Sequence, residues 1–187
     1  MIYTLLEPKH PLLHSPLPVI TADTEPENRK EILDNMIESM KHYGGIGLSA
    51  NQVGLALRMF VFGDNKHYVP CFNPKILEYG GPEVAIEEGC LTYPGLFVRI
   101  YRPEWIVAEW EDENRELHKE NFTELQSRVF QHEYDHMEGS NFTEKVSKLK
   151  LDMAIKKQKK MDELAQRLKK KTEERLAQDK EYQQLIS

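Results

Sequence analysis

Apolar side chains recur along this chain at more than one period. In residues 27–43, Ile32, Met36, Ile37 and Met40 fall three or four apart, the spacing of one helical face, and Gly44-Gly45 predicts the stop. Residues 58–62 and 68–72 read as strands, separated by Gly63-Asp64-Asn65. Residues 75–79 and 83–86 flank Gly80-Gly81-Pro82, which predicts a hairpin. Residues 97–101 and 105–110 are further strands, and the polar turn Asp112-Glu113-Asn114 leads into 115–119. A helix is predicted over 122–137. Leu125, Val129 and Phe130 give it an apolar face, Thr123 with Gln126 reads as a capping box, and Gly139 suits the C-terminal end. Residues 146–186 read as one long charged helix. Its thin stripe of Leu149, Met153, Met161, Leu164 and Leu168 is interrupted by a lysine cluster at 156–160, enough for loose docking. The first 25 residues, with Pro8, Pro11, Pro16 and Pro18, read as an extended, irregular arm. No internal repeat is visible.

Composition narrows the class. The 187 residues suffice for one core, and 40% hydrophobic with 30% charged content describes a soluble globular protein. No apolar run reaches membrane-spanning length, and residues 1–18 lack the basic and apolar regions of a secretory signal. Cys71 and Cys90 are too few for a disulfide framework, so a cytoplasmic protein with reduced thiols is expected. The net charge of −6 is uneven: residues 145–187 carry 13 Lys and Arg against 7 Asp and Glu, and the remainder is strongly acidic.

The chemistry concentrates in Gln131-His132-Glu133-Tyr134-Asp135-His136. On a helix, His132 and His136 lie one turn apart on one face and can grip one metal ion. Glu133 then sits where it can take a proton from an activated water. A third His at 142 would complete a known zinc-protease spacing, but that residue is Phe142. Glu163, Glu173 and Glu174 are alternatives on the charged tail. The stronger candidate is Cys90 in Glu88-Gly89-Cys90-Leu91-Thr92, a cysteine among turn residues whose thiolate would complete a Cys-His-His set. In Gly45-Ile46-Gly47-Leu48-Ser49-Ala50-Asn51-Gln52, glycines allow close backbone approach and Gln52 brings a neutral donor suited to an oxyanion.

These three motifs, in this order, resemble those of the peptide deformylases: Gly45, Gly47, Ala50 and Gln52; Glu88 to Leu91; and Gln131, His132, Glu133, Asp135 and His136. The resemblance covers residues 1–150. It departs at Ser49, where the pattern has alanine, at Thr92, where it has serine, and at Phe97, near an arginine that some members use to contact peptide. The opening, residues 1–18, is also unlike the family's usual start.

The resemblance implies an α+β fold of antiparallel strands packed around a central metal-binding helix, with a long charged C-terminal helix. It implies a catalytic domain at 1–147 and an extension at 148–187. It implies a hydrolase that removes the formyl group from N-terminal formylmethionine of nascent polypeptides and releases formate. Cys90, His132 and His136 would hold one divalent ion, Fe2+ in the cell, with Zn2+, Ni2+ or Co2+ as substitutes on purification. Glu133 would move the proton, while Gln52 and the Leu91 N–H would hold the oxyanion. Ile46, Gly47 and Gly89 would pair with the peptide backbone. Ile86, Leu125 and Val129 would take the methionine, and a tight space at Gly45 would exclude larger acyl groups. No membrane or DNA partner is expected.

Other readings stay open. A zinc endopeptidase would use Glu163 as third ligand. An inactive relative would keep only a ribosome- or metal-binding role, but it would have no need for both Glu133 and Gln52. The basic tail fits either a solvated helix or a grip on ribosomal RNA.

Overall fold

The computed structural model describes residues 1–64 and 66–185, with side chains through Leu176. Asn65, expected to help break two strands, and residue 186, the expected end of the last helix, lie outside the described residues. The arm at the start is irregular apart from a 3-10 turn at Pro11–His14, as its prolines predict. It is nevertheless tied down. Tyr3 N–H donates to Ser39 Oγ (2.8 Å), Leu6 N–H to Gln52 O (2.8 Å) and Leu17 N–H to Met137 O (2.8 Å).

The first helix, α1 (Arg29–His42), starts on Asn28, whose side chain accepts from Glu31 N–H (3.0 Å). It ends where expected, with Gly44 in the left-handed region (φ 72°) and Gly45 N–H bonded back to Met40 O (2.9 Å). Leu33, Met36 and Met40 are buried. Five strands follow: β1 (Gly47–Ser49), β2 (Met59–Gly63), β3 (Tyr68–Cys90), β4 (Tyr93–Glu111) and β5 (Leu117–Thr123). They form one antiparallel sheet in sequence order.

The hairpin expected at Gly80-Gly81-Pro82 does not form; β3 runs straight through it. The register against β4 slips there, between Gly80↔Trp105 and Glu83↔Pro103. A Cβ on Gly80 would lie 2.0 Å from the Trp105 ring, and Gly81 takes φ 74°. The glycines therefore make room for an indole and a bulge instead of a chain reversal. The two strands expected at 97–101 and 105–110 likewise fuse into β4. The true reversal is at Leu91-Thr92, between the paired Cys90 and Tyr93.

The helix α2 (Glu124–Met137) follows β5 directly. Thr123 occupies the N-cap position but its side chain makes no capping bond, so the expected capping box is not formed. Gly139 does end the helix, at φ 70°. Val129, Phe130 and Met137 of α2 pack with Phe60, Phe62, Ile106, Trp110 and Phe122 of the sheet. A second cluster joins α1 to Leu48, Met59, Val61 and Phe72.

The last helix, α3 (Lys148–Leu185), corrects one expectation about docking. Leu149 and Met153 are exposed, as are Met161, Leu164 and Leu168. Leu151, Ala154 and Ile155 dock instead, against Leu96, Val98, Ile100 and Phe142. Gln158 Nε2 donates to Pro94 O (2.6 Å) from the same face. No helix among the described residues is long and apolar enough to cross a membrane.

Candidate active site

Two elements meet at the candidate site. The face of α2 bearing His132, Glu133 and His136 turns toward the β3–β4 reversal carrying Cys90, because Phe130 and Met137 commit the other side of the helix to the core. One donor atom each from Cys90, His132 and His136 falls within 4.8 Å of the others. Cys90 Sγ lies 3.4 Å from His136 Nε2. Glu163, the competing third ligand, stands exposed on α3 and is not part of that group.

Behind the histidines is a layer of buried charge. Glu88 Oε2 meets His132 Nδ1 at 3.0 Å, which fixes the ring and leaves its Nε2 for another partner. Glu88 also accepts from Arg102 Nε (2.7 Å) and Nη2 (2.9 Å) and from Arg128 Nη1 (2.9 Å). Arg102 Nη1 reaches Asp135 Oδ2 (2.8 Å), whose other oxygen meets Lys145 Nζ (2.8 Å). Glu88, Arg102 and Arg128 are all buried, so each charge depends on the others for solvation.

The same geometry sets the proton affinities. Burial opposes the thiolate of Cys90, yet His136 and His132 beside it hold the thiol well below its usual range. Burial disfavours the His132 imidazolium, but its contacts with Cys90 and Glu88 and the charge on Glu133 outweigh that and push it up to about 10. Glu88 is held far below the ordinary carboxylate range, against burial, by His132 and Arg102. Burial pushes the Glu133 carboxyl up, against the lowering influence of His132, His136 and Ser49. A cluster that favours an ionised thiol and a cationic neighbour suits a divalent ion as well as a proton. A soft thiolate with two imidazoles fits ferrous iron or zinc, and each ring has a nitrogen to offer.

Every residue the sequence nominated for binding or catalysis lines one cavity of about 760 Å3: Gly45, Ile46, Gly47 and Gln52; Ile86, Gly89, Cys90 and Leu91; Leu125, Val129, His132 and Glu133. His136 is buried behind them. Leu125 is exposed at the rim, whereas Val129 is buried in the wall. Gln52 Nε2 donates to Thr92 Oγ1 (3.0 Å) and lies 3.2 Å from Cys90 Sγ. Close packing explains the first motif's glycines. A Cβ on Gly47 would lie 2.4 Å from Glu133 Oε1, and one on Gly45 would lie 2.7 Å from Leu91 Cδ1.

Sequence reasoning gave no role to Arg102, Arg128 or Ser49. Arg102 had a signal: Leu96, Val98, Ile100 and Arg102 alternate on one face of β4, so an arginine falls in a buried row. Arg128 lies one turn from His132 and carried no such mark.

A model of the family "Polypeptide deformylase" matches residues 2–152. The chain is 39% identical over 131 residues to a peptide deformylase of Thermotoga maritima, covering 70% of this chain and 80% of that one. It is 37% identical over 180 residues to a peptide deformylase of Flavobacterium johnsoniae, covering 87% and 91%. The crystal structure of a peptide deformylase from Synechococcus elongatus in complex with actinonin superposes with TM-score 0.76 at 30% identity, covering 83% of this chain and 85% of that chain. With the family model matched over residues 2–152 and these relatives covering most of its length, the chain belongs to the polypeptide deformylase family.

Proposed function

We propose that this chain performs its family's reaction, removal of the formyl group from N-terminal formylmethionine, with one divalent ion held by Cys90, His132 and His136. The observation that carries the reading is the convergence of those three donors within 4.8 Å at the wall of the cavity that Glu133 and Gln52 also line. Fe2+ is the ion in the cell, with Zn2+, Ni2+ or Co2+ taking its place on purification, since all suit a thiolate with two imidazoles. When bound, the ion supplies Lewis acidity that acidifies water and draws charge from a carbonyl oxygen.

The chain's own residues do the rest. Glu133 accepts the proton of the attacking water and hands it to the departing amine, so that one amide and one water give formate and a free N-terminus. The Gln52 amide and the Leu91 backbone N–H donate to the oxygen that gains charge, at about 3–4 kcal/mol of barrier for one such donor. Backbone groups of Ile46, Gly47 and Gly89 pair with the peptide as an added strand. Ile86, Leu125 and Val129 receive the methionine side chain. The contact between Gly45 and Leu91 leaves room for formyl but not for larger acyl groups.

The catalytic unit spans 1–147, with 148–187 as an extension that is helical over Lys148–Leu185. The substrates are nascent chains in the cytoplasm, and the basic C-terminal helix α3 contacts ribosomal RNA. Formate release from formyl-Met-Ala by anaerobically purified protein of known metal content tests the reaction. Metal-loaded protein that yields no formate rejects it.

A further inference from the structure

Ser49 stands where the family pattern has alanine, and it touches both residues given to proton transfer and oxyanion binding. Its Oγ lies 2.6 Å from Glu133 Oε2 and 3.3 Å from the Glu133 carbonyl oxygen. A hydroxyl has one proton to give, and the shorter, charged acceptor takes it. The backbone N–H of Ser49 donates to Gln52 Oε1 (2.9 Å). Ser49 has no exposed surface, so water does not compete for either bond.

The consequences are directional. Glu133 Oε2 is engaged by Ser49, while Oε1 rests against Gly47, where only a hydrogen fits. The two oxygens are therefore unequal, and Oε1 is the one turned to the substrate segment of β1. Likewise, with its oxygen held by Ser49 N–H, the Gln52 amide presents its Nε2 toward Cys90 and Thr92. Strand pairing of Leu48 with Val61 and Ser49 with Phe60 fixes β1 against both.

We propose that Ser49 is a positioning residue for deformylation: its hydroxyl fixes the Glu133 carboxylate with Oε1 toward the substrate, and its N–H sets the orientation of the Gln52 amide. This rests on the proposed roles of Glu133 and Gln52. Alanine at this position retains the N–H and loses only the hydroxyl.

The test compares Ser49→Ala and Ser49→Cys, the second nearly isosteric but a poor donor, with Ser49→Thr, which keeps the hydroxyl. Formate release from formyl-Met-Ala, metal per chain and melting temperature are measured for each. Ser49→Ala and Ser49→Cys lower kcat about tenfold with KM and metal content unchanged, the size expected for one hydrogen bond to a charged group. Ser49→Thr recovers most of kcat. Wild-type kcat in both Ser49→Ala and Ser49→Cys overturns the proposal, and so does a loss that follows metal content or melting temperature instead of kcat. Absence of formate release by the metal-loaded wild-type protein would instead reject the underlying reaction.

Discussion

Glu88 Oε2 meets His132 Nδ1 at 3.0 Å, and the same carboxylate is forked by Arg102. One buried acid thus orients an imidazole on α2 and anchors strand β4 behind it. Glu88→Gln keeps the shape but removes the charge. Removing such an outer partner typically weakens metal affinity about 10- to 100-fold. Chelator competition followed by metal analysis measures it. Arg128 would also lose the counter-charge of Glu88 and Arg102 would keep only that of Asp135, a loss of roughly 3–5 kcal/mol in stability for a broken buried pair. An unaltered urea midpoint would contradict that count.

Glu133 is not one of the donors of the Cys-His-His group. Glu133→Ala is therefore expected to hold its metal and lose about 10²- to 10⁴-fold in kcat. Metal per chain and formate release, taken on one sample, separate binding from proton transfer.

Gly47→Ala attacks the same carboxylate from the other side. The new Cβ would lie 2.4 Å from Glu133 Oε1 and 2.9 Å from Val129 Cγ1, so the carboxylate must move. A kcat loss approaching that of Glu133→Ala is expected, with metal retained. A fully active Gly47→Ala protein would show that the Oε1 position does not matter.

Away from the site, Asp112 shapes the β4–β5 turn. Burial raises its carboxyl, but the N–H groups of Glu116 and Asn114 and the His118 ring win, and the net shift is downward. A depressed folded value means that its stabilisation is present above the unfolded value of 3.8 and is lost as pH falls through the lower folded value. Asp112→Asn should cost about 1 kcal/mol at pH 7. The gap from wild type should close below about pH 4. Urea midpoints at the two pH values measure it.

The proposed grip of α3 on ribosomal RNA would be salt-sensitive. The full chain should sediment with ribosomes at low salt and release as salt rises. A chain ending at Lys148 loses Lys150, Lys156, Lys157, Lys159 and Lys160 with the rest of the helix and should not sediment. Equal sedimentation of both would remove the tail from that role.

Much of this was legible in the linear chain. The periods of α1 and α2, and the glycines that end them, depend on local backbone geometry, which a sequence states directly. The three motifs were legible because ligation and proton transfer demand particular atoms, and His132 and His136 meet on one helical face whatever surrounds them. Gly80-Gly81 misled because glycine permits a turn and a bulge alike, and only Trp105 on the neighbouring strand decides between them. The expected stripe on α3 misled for a related reason: a helix with a weak apolar face takes its docking side from the surface it meets.

The sequence alone determined which atoms could ligate, which acid could shuttle a proton and which segments are helical. Tertiary structure alone decided what stands beside them: Ser49 on Glu133, Glu88 on His132, and Arg102 and Arg128 on Glu88. The reason is physical. Side-chain chemistry and backbone period belong to single residues and their near neighbours. Contact between residues 84 or 44 positions apart follows from strand register and core packing, which no local pattern encodes.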